Sequence, residues 1–307
     1  MKEQFSSISP DKKGESKKLI DNGNEKKRSP VESLFEEIKS YKKHIDISSF
    51  IGTPGISEKE IRRDMQEVER LKVEFEKSRK NESLEKFESS NLADISETIL
   101  PAGINEHNWF GGNMRAMRTS EFDDFKNKID NIIHLFPDEI VESADGLRLM
   151  GLSIDMTSGK NMTEDKFKKI NELKEKLLDG DRSEIKYLKT IILTENGPQV
   201  IKKVRIKIPK IILGVSPEMI MQADIDFSAS EKDPNNKVLK IKAENTPVKK
   251  IFIKETILQL KGYILILNMG RTNEKLTDFQ KKMRKEITSM YQNVLDDFEK
   301  AVADSNI

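Results

Sequence analysis

The sequence predicts an α/β domain on a mixed sheet flanked by helices, with helical extensions before and after it. Three observations predict it. The run Leu149–Thr157 alternates with the period of a strand, Met150, Leu152, Ile154 and Met156 on an apolar face and Gly151, Ser153, Asp155 and Thr157 on a small polar one. Asn196-Gly197 joins two apolar runs, Ile185–Leu193 and Gln199–Ile208, in the manner of a hairpin turn. Between and after these lie helical stripes, Phe167, Ile170, Leu173 and Leu177 the first, Phe279, Met283, Ile287, Met290, Val294 and Phe298 the last.

Size and composition bound the rest. A chain of 307 residues holds one good-sized domain with extensions or two small ones. Fifty-four basic against 53 acidic residues leave a net charge of +1, which excludes a polycationic nucleic-acid coat and an acidic solvating protein. At 36% hydrophobic and 35% charged residues, part of the chain is expected outside any core. No apolar run is long enough to cross a membrane, and MKEQFSSISPDKK lacks the apolar stretch of a secretory signal. The absence of cysteine excludes disulfides, thiolate metal sites and cysteine nucleophiles. The simplest compartment is the cytoplasm.

Along the chain, residues 1–53 read as a largely disordered segment, with a short helix possible over Val31–Tyr41 behind Ser29 and Pro30. Gly52-Thr-Pro-Gly55 breaks the chain, and residues 54–95 form an amphipathic extension. Its helix, 58–80, starts on a Ser57/Glu60 capping box and carries Ile61, Met65, Val68, Leu71 and Phe75 on one face. That face either packs on its own chain or pairs two copies in a homodimer. The α/β domain is expected over 96–270, and 271–307 is the terminal helix. Within the domain, a helix is expected over Ser120–Lys128, then strands at Ile129–Phe136, Leu149–Thr157 and Ile211–Val215. Further helices open at Thr163, Ser216-Pro217 and Thr246-Pro247, and Gly262 leaves 263–267 open between helix and strand.

The candidate site starts from Asp155, since Asp is depleted in strands and invites a reason. Asp130 begins the preceding strand, so on neighbouring strands the two carboxylates converge on one cation. Two carboxylates and water suit Mg²⁺ or Mn²⁺. On the helix SEFDDFKNK, a rotation of about 100° per residue sets Glu121 at the edge of the apolar face and Asp124 further around. His134, on the face of Asp130, is a weaker neighbour of the same site.

Helix Glu121, strand Asp130 and Asp155-Met156-Thr157 on an adjacent strand resemble the layout of the PD-(D/E)XK nuclease-like superfamily, over about residues 110–260. The run RAMRTSEFDDFKNKID…LSIDMTSGK…IKYL is similar to small bacterial proteins thought to carry that fold. The resemblance implies hydrolysis of phosphodiester bonds of DNA or RNA, with Glu121, Asp130 and Asp155 as metal ligands. The chain departs from the pattern at Thr157, which stands where the motif has lysine; a hydroxyl orients water but supplies no charge. Lys160 or Lys186 is then the substitute, or no lysine serves. Arg115 and Arg118 after Trp109-Phe110, and Arg205 and Lys207 on a basic strip with Lys202 and Lys203, are candidate phosphate contacts.

Each of these residues also has an ordinary reading: a strand-end acid bonding local N–H groups, a first-turn acid favoured by the helix dipole, a Trp covering the core, a solvated basic face. The alternative to a nuclease is a non-catalytic binding or assembly protein on the same fold without the motif lysine. A structural protein of another fold is the third reading. No phosphate-binding loop, dinucleotide fingerprint, nucleophile elbow or zincin motif occurs.

Overall fold

A computed structural model of the chain describes residues 43–80, 84–110, 114–135, 151–157, 162–194, 197–270 and 276–305. The N-terminal segment before residue 43 and Lys160 lie outside them. After a 3₁₀ turn at Ile47–Phe50 come α1 (Glu58–Lys80) and α2 (Leu84–Asn105), then β1 (Met114–Arg118). A π-helical turn at Asp123–Asn127 leads into β2 (Asn131–Leu135) and β3 (Gly151–Thr157). There follow α3 (Met162–Leu178), β4 (Glu184–Thr194), β5 (Gly197–Lys207) and β6 (Lys210–Gly214). The chain closes with α4 (Pro217–Lys232), α5 (Lys237–Glu244), α6 (Pro247–Met269) and α7 (Asp278–Asp304).

This is an α/β protein with a mixed four-stranded sheet in the order β1-β2-β3-β6 and a separate β4-β5 hairpin. β1, β2 and β3 form an antiparallel meander; β6 lies parallel to β3, with α3 and the hairpin making the crossover a parallel pair requires. The alternation read in the sequence is realised: Leu152, Ile154 and Met156 enter the main core with residues of α2, α4, α6 and α7. On the sheet's other face, Met117, Ile129 and Ile132 pack on Ile185, Leu188 and Ile208 at the hairpin. No helix among the described residues is long and apolar enough to cross a membrane.

α1 spans the expected residues, and the Ser57 hydroxyl accepts from the Glu60 N–H at 3.2 Å. Its packing is narrower than the stripe implies. Ile61 and Val68 are buried with Ile47, Phe50 and Tyr187, while Phe75 is 51% exposed. The expected break between 95 and 96 falls inside α2. Helix and strand near Gly262 resolve as helix, since α6 runs unbroken to Met269 and open space faces Gly262. On α3, Leu173 and Leu177 are buried but Phe167 is 61% exposed. The helix is turned so that Lys166 and Lys169, not Phe167, reach partners, Glu255 and Asp155.

Trp109 is core and not a stacking platform. Its indole N–H donates to the Ala243 carbonyl at 3.0 Å, and it lies so close to Gly103 that a Cβ there would come within 2.3 Å of the ring. The helix expected over Ser120–Lys128 is instead a π-turn that ends at Lys128 in the left-handed region, φ 53°. Buried Asp123 explains the local geometry. It takes the Ser120 hydroxyl at 2.6 Å and the backbone N–H groups of Lys186 and Tyr187 at 2.7 and 3.1 Å, locking the turn to β4.

Candidate functional site

Pairing between β2 and β3 sets Asn131 opposite Ile154, so the next position along that register sets Asp130 opposite Asp155. Side chains opposed across an antiparallel pair share a face with Cβ atoms about 4.5–5.5 Å apart. Asp130 Oδ2 accepts the Met156 N–H at 2.5 Å, and the Asp130 N–H donates to the Ile154 carbonyl at 2.9 Å. Both acids are buried. Burial pushes the Asp130 carboxyl well above the usual carboxylate range, and the charges of Asp155, Glu97 and Asp124 push it further.

Asp155 is held by two ammonium groups. Lys169 of α3 lies 2.7 Å from Oδ1, and Lys210, the first residue of β6, lies 3.2 Å from Oδ2. The parallel register pairs Ser153 with Lys210 and Asp155 with Ile212, so the lysine stands on the acid's face of the sheet. Lys210 also donates to the carbonyls of Asn127, at 3.3 Å, and Lys128, closing the end of the π-turn. Burial lowers its pKa against the opposing pull of Asp155. Thr157, two residues beyond Asp155, is buried on the same face and lines the same cleft.

Asp124 and Glu97 complete the cluster. Burial raises the pKa of Asp124 to about 6 despite Arg118. Arg118 pairs with Glu97 of α2 and lies 3.9 Å from Asp124. A cleft of about 710 Å³ opens beside Asp155, with Lys126, Lys128, Lys168, Lys176 and Arg182 among its walls.

The structure therefore brings together Asp130, Asp155, Thr157 and Arg118 and leaves the other expected residues among those described elsewhere. Glu121 is outside the cluster: it pairs with Lys72 of α1 at 2.8 Å. Lys186 turns to α1, where it pairs with Glu60 at 2.7 Å and with Asp64. Arg118 spends its guanidinium on acids. Arg115 stands on β1 opposite His134 and donates to the Met114 carbonyl at 2.9 Å. Arg205 adopts φ 57° and pairs with Glu60 at 2.6 Å, while Lys207 is exposed at the end of β5 opposite Glu184. His134 is directed at Met117 Sδ, 3.0 Å, and Thr190 Oγ1, 3.1 Å, away from the acids.

Sequence reasoning missed four residues. Asp124 escaped because a π-turn does not rotate by the 100° that the wheel assumes. Glu97 lies in a helix whose pattern is interrupted by Pro101. Lys210 had a legible signal, a lysine inside the apolar run Ile208–Val215. Lys169 is one of several lysines on α3 and had none.

Asp130 and Asp155 are carboxylates crowded by like charge that could hold a hard divalent cation, and two ammonium groups pair with Asp155. Asp124, Asp130 and Asp155 do not form a trio with all donor atoms within 4.8 Å of one another. Water or a substrate phosphate would complete a Mg²⁺ shell around two of them. No family model, no curated protein and no solved structure matches the chain.

Proposed function

We propose that the chain is a Mg²⁺- or Mn²⁺-dependent nuclease resembling PD-(D/E)XK enzymes, hydrolysing phosphodiester bonds of DNA or RNA. One observation carries the reading: Asp155, opposed by Asp130 across two strands, is approached by the Lys210 ammonium at 3.2 Å. A lysine beside the strand carboxylate is what the motif lacks at Thr157, and Lys210 or Lys169 supplies it from a neighbouring element. Glu97 takes the helix position expected of Glu121.

Asp130 and Asp155 would hold the cation, which polarises the phosphate and lowers the pKa of a bound water. Lys210 supplies positive charge at the pentavalent phosphate and orients the attacking water. Its burial weakens its hold on a proton, which suits it to exchange one. The Thr157 hydroxyl can accept a hydrogen bond from that water. The lysines and Arg182 along the cleft track the phosphate backbone.

A second reading, a binding or assembly protein without catalysis, is favoured by the same ion pairs, because both Asp155 oxygens are already neutralised. The test is cleavage of supercoiled plasmid and single-stranded RNA with Mg²⁺ or Mn²⁺, beside calorimetric titration of Mn²⁺. We expect metal-dependent cleavage that falls about 10²–10⁴-fold in Lys210→Ala and disappears in Asp155→Asn. Saturable Mn²⁺ binding without cleavage of either substrate moves the assignment to the second reading. Cleavage unaltered in Asp155→Asn removes this site from the chemistry.

A further inference from the structure

A second constellation lies at the C-terminal end of α2, on elements that contribute none of Asp124, Asp130, Asp155 or Lys210. The chain leaves the helix through a tight turn in which the N–H groups of Glu106 and His107 both donate to the Ala102 carbonyl, at 2.8 and 3.2 Å. Asn108 follows in the left-handed region, φ 51°. These bonds fix the backbone from which two adjacent side chains project. The His107 ring stacks on Phe227 of α4, centroids 4.0 Å apart and planes 19° from parallel. Glu231 stands one helical turn beyond Phe227, so the stack brings it beside the imidazole. As a result, one imidazole nitrogen of His107 and one carboxylate oxygen from each of Glu106 and Glu231 lie within 4.8 Å of one another.

A second observation points to a ligand. His107 is 8% exposed, and its Nε2 is buried without a hydrogen-bond partner. Leaving a buried polar atom unsatisfied costs about 1–3 kcal/mol. Hydrophobic packing on Phe227 would serve as well with a phenyl ring, so the stack does not account for an imidazole. A Lewis acid accepting its lone pair does. Both glutamates are exposed to solvent.

We propose that Glu106, His107 and Glu231 form a binding site for a first-row divalent cation, Zn²⁺ foremost, that ties the end of α2 to α4. One imidazole and two carboxylates match the nitrogen and oxygen donors that Zn²⁺ takes, whereas Mg²⁺ prefers oxygen alone. Three protein ligands leave a fourth position for water. The site is independent of the proposed nuclease chemistry and stands or falls separately.

The experiment is calorimetric titration of Zn²⁺ into the full chain, with thermal unfolding read in parallel. The same measurements are made on Glu231→Gln, His107→Gln and Asp155→Asn. Glu231 is exposed, so its neutral variant tests the site without disturbing the core. We expect one equivalent of Zn²⁺ whose affinity falls by about 10–100-fold or more in Glu231→Gln and in His107→Gln, since even partners behind a metal ligand matter that much. Asp155→Asn keeps that equivalent, and Zn²⁺ raises the melting temperature of the wild type but not of Glu231→Gln. A wild type that binds no Zn²⁺, or a Glu231→Gln isotherm identical to the wild type, overturns the proposal. Loss of the equivalent in Asp155→Asn alone would assign the ion to the other site and overturn it equally.

Discussion

His134 shows how one residue's surroundings set a property of the whole chain. Burial alone lowers its pKa to about 4, against an ordinary value of 6.5. The unfolded chain therefore binds a proton between those values that the folded chain refuses, and stability rises with pH there. The contribution is fully present above pH 6.5 and is lost as pH falls toward 4, about 3 kcal/mol in all. Asp124 and Asp130, whose pKa values are raised, act in the opposite sense, so the histidine's share is read by difference: between pH 7 and pH 4 the slope of urea-unfolding stability against pH should be less positive in His134→Gln than in the wild type. An unchanged slope would mean that the imidazole is not desolvated as described. The same residue marks a limit of sequence reading. Its face was legible from the period of the strand, but the hairpin residue Thr190 that it meets lies on an element whose docking no local pattern announces.

Helix α1 was readable almost to the residue, because Ile61 and Val68 mark a buried face and Ser57 a cap. What it docks on was not. Lys186 and Tyr187, neighbours on β4, serve two elements at once. Their backbone N–H groups bind Asp123 of the π-turn, and their side chains bind Asp64 of α1, the tyrosine hydroxyl at 2.8 Å. Burial and the Asp64 carboxylate raise the tyrosine pKa, so the hydroxyl stays a donor. Asp64→Ala would leave that hydroxyl unpaired and Lys186 with Glu60 alone. We expect a loss of about 3 kcal/mol in thermal or urea unfolding, the scale for breaking a buried pair. Asp64→Asn keeps an acceptor for Tyr187 and should cost less; equal losses would show that the charge paired with Lys186, not the acceptor for the hydroxyl, carries the effect. The π-turn itself was beyond the sequence, because its path is set by an acid bonding to a strand far along the chain. Glu121 and Asp124 exchanged importance for that reason alone.

At the scale of the molecule, a net charge of +1 hides an uneven distribution. Lys126, Lys128, Lys168, Lys176 and Arg182 gather on the cleft beside Asp155. A polyanion feels that local field more than the total. Lys168→Glu with Lys176→Glu should weaken nucleic-acid binding and reduce the slope of log affinity against log salt by about one for each phosphate no longer neutralised. Lys240→Glu, exposed on α5 away from the cleft, should leave both unchanged. Equal effects from the two substitutions would mean that binding follows total charge and that the cleft is not the interface. The sequence showed the neutral sum and the alternating strand, but not that α3 turns its lysines toward the sheet. That rotation follows from Leu173 and Leu177 entering a core shared with α2, α4, α5, α6, α7 and the four-stranded sheet.

The parallel seat of β6 beside β3 has a consequence during synthesis. A chain emerging from the ribosome can close the β1-β2-β3 meander and bury Asp155 before Lys210 exists. Until β6 arrives, the Asp155 carboxylate has Lys169 but not its second cation, and the sheet edge at β3 stands open. The β4-β5 hairpin, closed by its own local pairing, then shortens the loop that the last strand must close. The order of birth thus makes the final strand the one that both seals the sheet and sets the charge of the site.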